Sequence, residues 1–540
     1  MDDSDLEARI IRDSFGVAPS VVARVLQRNG ACTLGDTLRF LEVWAETKTY
    51  NWEFAHFRNS LLILIQHNCA SVKLESTRPD GGLPEIRPGE DPSSVPGTRC
   101  RYALCRSEIF NRLKYPKFQL LVNSMLGASA RLVFSQVIKA GRIQMSTCVR
   151  QAQQDPDADV VFGETPPDTS AKALSRSFVE LAMRNFIVKV PDLSYEALVK
   201  ETPKVAPTKS KAAPKRRRRP AGSDNLDRLL GSEQEKPAST AKDDIKMKLK
   251  EMEATMSGSS DVYRINSSLL NLEICKELVL EFMVARWSDA PIVRYLVAAL
   301  MTGVRLSPRG DSVICESVAF STIERLVRAS AQEEATKTKC KMNSVDNTLL
   351  LKLVDAMGKH ADNVVKHIEL KDSSPAYLFD WLRCRQLLKQ RIAFLVIRNH
   401  LGSHTARIWM LLIGADRMAS PSVATEGSIV YWDDFTVADM VLLPPQEARE
   451  GLFRLAENGF IRHHLSDSAV HNLASAANKR TLIFSANEEQ SYKTVYTHLL
   501  QGLLNFLERK EIESSRIMQL QRRSRYAREK SQRIFLRTTE

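Results

Sequence analysis

Residues 452–462, Leu452-Phe453-Arg454-Leu455-Ala456-Glu457-Asn458-Gly459-Phe460-Ile461-Arg462, set a pattern that recurs along the chain. An apolar stripe at helical spacing ends at Asn458-Gly459 and runs straight into a strand-like segment that continues through His463-His464-Leu465. Gly, and to a lesser degree Asn, adopts the left-handed conformation that closes a helix. The same succession occurs at Leu61-Leu62-Ile63-Leu64-Ile65-Gln66-His67-Asn68, which leads to Val72-Lys73-Leu74. It occurs again at Phe178-Val179-Glu180-Leu181-Ala182-Met183-Arg184-Asn185, followed by Phe186-Ile187-Val188-Lys189-Val190. A fainter copy spans residues 350–358 and ends on Gly358.

The residues upstream complete a unit. Before the 452–462 copy, residues 405–413 read as a first helix and residues 433–443 as a second. Pro444-Pro445 then makes the turn, and residues 446–458 form the third helix. Residues 460–465 and Thr481-Leu482-Ile483-Phe484 follow as the two strands of a hairpin. Around the first copy, Pro19-Ser20 opens a helix that ends at Asn29-Gly30, and Thr33 is placed to cap a second helix. Three short helices closed by a β-hairpin are the winged-helix arrangement, a relative of the helix-turn-helix. The expected fold class is therefore mainly α with small β wings: tandem winged-helix domains and a C-terminal helical arm. The arm is predicted from Tyr492, Tyr496, Leu499, Leu503 and Phe506, whose steps alternate between four and three; Ile517 and Leu520 resume the register after a lapse at Lys510 and Glu513. Such a helix is expected to pack on another helix of this chain or of a partner.

Charge and composition narrow the class. The 540 residues are 43% hydrophobic, enough for packed cores, and carry a formal net charge of +13. That excess is local. Residues 200–220 hold nine Lys/Arg against Glu201 alone, and residues 508–540 hold ten against five Glu, which accounts for all of it. The remaining chain is formally neutral, so folded units that touch nucleic acid must do so through local patches or inside a larger assembly. Lys215, Arg216, Arg217, Arg218 and Arg219 lie in a Pro/Ala/Lys/Ser segment that reads as an extended linker and as a nuclear import signal. The apolar runs 61–65 and 392–397 fall far short of the ~20 residues that span a bilayer. Met1-Asp2-Asp3-Ser4-Asp5 leads into no apolar stretch, so a secretory signal is not expected. Nine Cys without a CxxC pair read as reduced thiols of an intracellular protein.

Catalytic chemistry is not expected. Neither a Gly-rich phosphate loop nor a Walker motif occurs. His400 and His404 have metal-ligand spacing but no Glu after the first His, and a capped helix end is expected there. His463 and His464 should point to opposite faces of a strand. Residues 155–159, with three Asp, read as a solvated loop rather than a magnesium site. No metal, cofactor or small-molecule substrate follows. The candidate nucleic-acid contacts are Lys172, Arg176 and Arg184 near the third helix of the second unit, with Arg112 and Lys114 on a flanking segment.

Several blocks, taken in order, resemble the winged-helix subunit of eukaryotic RNA polymerase III, the largest member of that enzyme's initiation heterotrimer. They are Tyr102-Ala103-Leu104-Cys105-Arg106, Leu113-Lys114-Tyr115-Pro116-Lys117, the helix beginning Phe178-Val179-Glu180, and Asp261-Val262-Tyr263-Arg264-Ile265-Asn266. Ala406-Arg407-Ile408-Trp409 and residues 435–460, with Leu443-Pro444-Pro445-Gln446, complete the set. Against that family the tail is short and the Pro/Arg segment long. The resemblance implies a non-catalytic subunit in the nucleus that acts in initiation and promoter opening at genes for small RNAs such as transfer RNA and 5S ribosomal RNA. Its partners would be the other heterotrimer members, the clamp of the largest subunit, initiation factors and promoter DNA. The implied organisation is winged helices over 1–80, 98–192, 259–372 and 375–487, a basic linker over 193–258 and an arm over 488–540. The competing readings are a free-standing winged-helix transcription factor and a winged-helix scaffold of another nuclear assembly.

Overall fold

The computed structural model describes residues 3–43, 54–76, 98–155, 167–190, 256, 261–287, 291–307, 310, 312–338, 347–360, 362–369, 375–418, 431–466 and 481–539. Helices dominate, and every sheet among the described residues is small and antiparallel. The chain divides into two compact units, Met1–Ile274 and Cys275–Glu540.

The first unit opens with α1 (Asp3–Phe15), which the sequence pattern did not reveal, and α2 (Val17–Asn29), closed by Gly30 at φ 73°. In α3 (Leu34–Val43) the Thr33 hydroxyl accepts from the Asp36 amide at 3.2 Å, and Thr33 donates to the Asp36 carboxylate at 2.7 Å. This reciprocal cap satisfies an orphan donor at the helix start. The third helix, α4 (Phe54–Gln66), stops at Asn68, whose φ of 59° turns the chain into β1 (Ala70–Ser76). β1 pairs in full register with β2 (Thr98–Leu104), and Cys32 bridges Tyr102 on the other side of β2.

Next come α5 (Arg106–Asn111), a 3-10 turn at Arg112–Lys114, α6 (Tyr115–Leu126) and α7 (Ala128–Ala140). β3 (Arg142–Gln144), α8 (Met145–Gln153), α9 (Ala171–Met183) and β4 (Ile187–Lys189) follow. β5 (Val262–Ile265) then lies between β3 and β4 and pairs with both. A core of Phe118, Phe134, Val137, Cys148, Leu174, Phe178 and Leu181 fills the space under this sheet, with Met256 added to it.

α10 (Ser267–Trp287) leads into the second unit. There α11 (Pro291–Leu300) precedes the small pair β6 (Val304–Leu306) and β7 (Val313–Cys315). β8 (Val318–Ala319), α12 (Phe320–Thr338), α13 (Asn347–Lys359), β9 (Val365–Glu369) and β10 (Pro375–Phe379) form the third helix–hairpin module, with sheet order β8-β10-β9. α13 passes through Gly358, and the left-handed residue is Asn363 at φ 51°. The fainter copy thus ends within one residue of Gly358, and the left-handed turn falls later, at Asn363; a glycine permits such a turn without imposing one.

α14 (Trp381–Leu401) is capped by the Asp380 carboxylate, which accepts from the Arg383 amide. The fourth module is α15 (Ser403–Met418), β11 (Trp432–Asp433), α16 (Asp434–Val441), α17 (Pro445–Glu457), β12 (Ile461–Ser466) and β13 (Thr481–Ala486), with β13 in the middle of its sheet. Gly451 sits where α17 approaches α15; a Cβ there would lie 2.6 Å from Ile408 Cδ1. Last comes α18 (Glu488–Thr539), 52 residues long.

The architecture is mainly α with small antiparallel wings and a helical arm, as expected. Strand pairing runs across three of the expected module boundaries. The expected starts at 98, 259 and 375 each assign a hairpin's closing strand to the following unit. β2 pairs with β1, β5 with β3 and β4, and β10 with β8 and β9. In each case the strands pair with each other across the residues where the composition changes. Residues 193–258, read as a tether between halves, therefore connect two paired strands of the second module. The basic run 215–219 lies outside the described residues.

Candidate nucleic-acid interface

In the second module α9 occupies the position of the third helix. Asp168 and Ser170 organise its start: the Asp168 carboxylate accepts from the Ser170 amide at 2.9 Å, and the Ser170 hydroxyl accepts from the Ala173 amide at 3.4 Å. Asn185 at φ 58° ends the turn that follows the helix. Leu174, Ser177, Phe178, Val179 and Leu181 face inward, and Phe178 meets Tyr263 of β5 edge-on at 5.3 Å. The inward stripe leaves Lys172, Arg176 and Arg184 exposed, as their spacing requires. Arg176 is held by Glu180 one turn on, at 3.2 Å, with the guanidinium side chain still 60% exposed. On the wing, Lys189 pairs with Asp261 at 2.6 Å.

Arg112 and Lys114 are used differently. Arg112 donates from Nε to Ser14 Oγ at 3.0 Å, and its guanidinium lies 4.1 Å from the Phe15 ring centre and 5.3 Å from that of Tyr115. Desolvation pushes the neighbouring His67 down to about 4, with help from the Arg112 charge, and pushes the Cys69 thiol up to about 11. Lys114 donates to Asn271 at 2.9 Å and to Asn111 at 3.5 Å. Both cations are engaged by protein groups from α1, α5, α6 and α10, not by groups of α9.

Strand pairing adds a feature that sequence reasoning missed. Arg142 of β3 and Arg264 of β5 are directly opposed, with Arg142 Nε donating to Asn68 Oδ1 at 3.0 Å and Arg264 Nε buried without a hydrogen-bond partner. Desolvation, and then the Arg264 charge, lowers the Arg142 pKa. Like charges facing each other across a ladder are unfavourable unless an anion or acceptor is nearby. No local motif signals this pair, because its members are far apart in sequence.

The other third helices are poorer in free positive charge. In α17, Arg449 pairs with Asp434 and Arg454 with Glu450, while Glu447 and Glu457 stay exposed. α13 presents Leu349 and Leu351 to solvent, and α4 presents Leu62 and Ile63. Such apolar outward faces suit protein contacts better than phosphates.

Against known proteins, the chain is 28% identical over 137 residues to DNA-directed RNA polymerase III subunit rpc3 of Dictyostelium discoideum. The similarity is confined to part of each protein. It covers 25% of this chain and 19% of that subunit's length. No family model matches.

The remaining sequence candidates resolve simply. His400 stacks on His498 at 6.0 Å, and His464 shares a hydrogen bond with Ser485 Oγ at 3.0 Å. Asp155 is taken by Lys139 at 2.8 Å and by Gln136; residues 156–159 lie outside the described residues. Among the described residues no group of three His, Cys, Asp or Glu is placed to hold a metal ion, and no helix is long and apolar enough to cross a membrane. Every cysteine in them is a free thiol.

Proposed function

We propose that this chain is a non-catalytic subunit of DNA-directed RNA polymerase III that acts in initiation and promoter opening at small non-coding RNA genes. The similarity to rpc3 carries this reading. The succession of helix–hairpin modules in one chain supports it, since such modules serve both as DNA contacts and as docking units. In this role the second module contributes Lys172, Arg176 and Arg184 to the phosphate backbone, and Arg142 with Arg264 offers a second basic pair. A larger assembly supplies the orientation and effective concentration that a formally neutral folded body lacks. The partners would be the other initiation-heterotrimer members, the clamp of the largest subunit and initiation factors. Residence would be nuclear, with Lys215 and Arg216, Arg217, Arg218 and Arg219 as the import signal. Unchanged nuclear accumulation after replacing those five by Ala would reassign the run to a tether.

Affinity purification of the tagged chain followed by mass spectrometry tests the main proposal. Polymerase III subunits in stoichiometric yield are expected. Recovery of a different complex, such as a ubiquitin ligase or a proteasome lid, would replace it with the scaffold reading, which the outward leucines of α13 favour. Tight, sequence-selective binding of duplex DNA by the isolated chain would favour a free-standing transcription factor instead.

A further inference from the structure

The arm carries an apolar seam that its own unit leaves open. The base of α18 is firmly held. Glu488, in the first turn, accepts from Gln386 at 2.8 Å and Gln390 at 2.6 Å, and Tyr492 donates to it at 3.0 Å. Ser491 accepts from Trp409 Nε1 at 3.1 Å and donates to the Phe460 carbonyl at 2.8 Å. Val495 and Leu504 are buried in the unit. The seven-residue line that alternates steps of three and four runs differently. Along it Tyr496, Leu499, Phe506, Ile517 and Leu520 are 50 to 66% exposed. At 1.5 Å per residue the helix is about 78 Å long, and a free helix with an apolar seam of this period is half of a coiled coil.

The charges beside the seam select the partner. With Tyr496, Leu503 and Ile517 at position a of the heptad and Leu499, Phe506 and Leu520 at d, position g holds Val495 and Gly502 near the base and then Arg509, Arg516 and Arg523. The sequence continues the same spacing with Lys530 and Arg537. Position e holds Leu500 and Leu507 and then Ser514, Gln521 and Arg528, none of them acidic. A second copy is therefore a poor occupant. A parallel pair would face Arg523 with Arg528, and an antiparallel pair would face g arginines with g arginines. Lys510 at a and Glu513 at d interrupt the apolar line between Phe506 and Ile517, and Ser524 at a interrupts it again after Leu520; polar layers of that kind fix register.

We propose that the exposed seam of α18 docks a helix of another polypeptide, apolar at its own a and d positions and acidic at the flanking positions that face Arg509, Arg516 and Arg523. The partner is defined by this chemistry, and the inference holds whichever assembly contains the chain.

The test uses the full chain and two synthetic 28-residue helical peptides, both with Leu at a and d. One carries Glu at every e and g position and the other Lys, so either orientation is covered. Fluorescence anisotropy should show the Glu peptide binding at least about tenfold more tightly than the Lys peptide, with the margin shrinking as salt screens it. The triple variant Arg509→Glu, Arg516→Glu, Arg523→Glu should reverse the preference, and Leu499→Ser with Leu520→Ser should abolish binding of both. These side chains face solvent, and circular dichroism checks that the arm remains helical. Equal binding of the two peptides, or binding of neither, overturns the proposal. So does a dimer of the wild-type chain in sedimentation that Leu499→Ser with Leu520→Ser dissolves, which would make a second copy the occupant. Loss of duplex-DNA binding in the triple variant, with neither peptide bound by the wild type, would assign the arm to nucleic acid instead.

Discussion

Replacing Gly141 by Ala should loosen the first unit where α4 ends, and the structure gives the size of the effect. Gly141 caps α7 at φ 76° and ψ −59°, a region nearly closed to residues with a Cβ. That strain alone costs about 1–3 kcal/mol. The added carbon would also lie 2.5 Å from the Gln66 carbonyl oxygen and 2.8 Å from His67 Nδ1, and the first of these is backbone that cannot simply rotate away. Overpacking of this kind costs a further ~1–3 kcal/mol. Gly127 separates the two contributions: its φ is 86°, equally unsuited to Ala, but nothing lies within 4 Å of its Cβ position. Gly127→Ala should therefore destabilise by the strain alone, and Gly141→Ala by the strain and the collision together. Hydrogen exchange on the full chain reads the difference locally. In Gly141→Ala, amides of residues 64–70 should exchange roughly 5- to 150-fold faster, the range corresponding to ~1–3 kcal/mol. The bonds from Gln66 Nε2 to the Ala140 and Arg142 carbonyls and from Arg142 to Asn68 would be strained with them. In Gly127→Ala the same amides should keep wild-type protection. Equal protection of residues 64–70 in both variants would refute the argument, because the close approach would then carry no packing.

Three further outcomes are expected. His67, held near pKa 4 by burial and by Arg112 against an ordinary value near 6.5, binds fewer protons folded than unfolded between those values. The stability of that region should accordingly fall as pH drops from about 6.5 toward 4, and His67→Gln should flatten the dependence of the thermal midpoint on pH. On the proposed function, Lys172→Ala with Arg176→Ala and Arg184→Ala should weaken promoter opening by the polymerase that contains the chain and leave co-purification of its subunits unchanged; lost assembly with intact opening would make α9 a protein interface. Burial pushes the Cys148 and Cys384 thiols up to about 12, so at pH 8 they should resist alkylation in the native chain and react once it is denatured, as peptide mass mapping can follow.

What the sequence made legible is what short-range chemistry controls. Asn68, Asn185 and Gly459 mark the turns after their helices because the left-handed residue and the apolar stripe before it are neighbours. Thr33, Pro19 and the Pro444-Pro445 turn are local signals of the same kind. The closing strands are not. Thr98–Leu104, Val262–Ile265 and Pro375–Phe379 read as openings of the next unit, since each follows a polar stretch of sequence and precedes a helix. Only hydrogen bonding to a distant strand assigns them. The candidate site divides along the same line. Exposure of Lys172, Arg176 and Arg184 follows from helical periodicity, whereas the engagement of Arg112 by Ser14 and Phe15, and the opposition of Arg142 to Arg264, depend on contacts between distant segments.

The central position of β5 bears on how the protein is made. β3 and β4 do not pair with each other; both hydrogen-bond to a strand that leaves the ribosome after residues 190–261. At ~5–20 residues per second, synthesis of that stretch takes roughly 4 to 14 s. During this interval the helices around Phe134 and Phe178 exist without the strand that completes their sheet, and the edges of β3 and β4 stay open to other chains. An expression fragment ending at residue 192 would make that interval permanent, whereas one extended through Asn266 would contain the whole sheet.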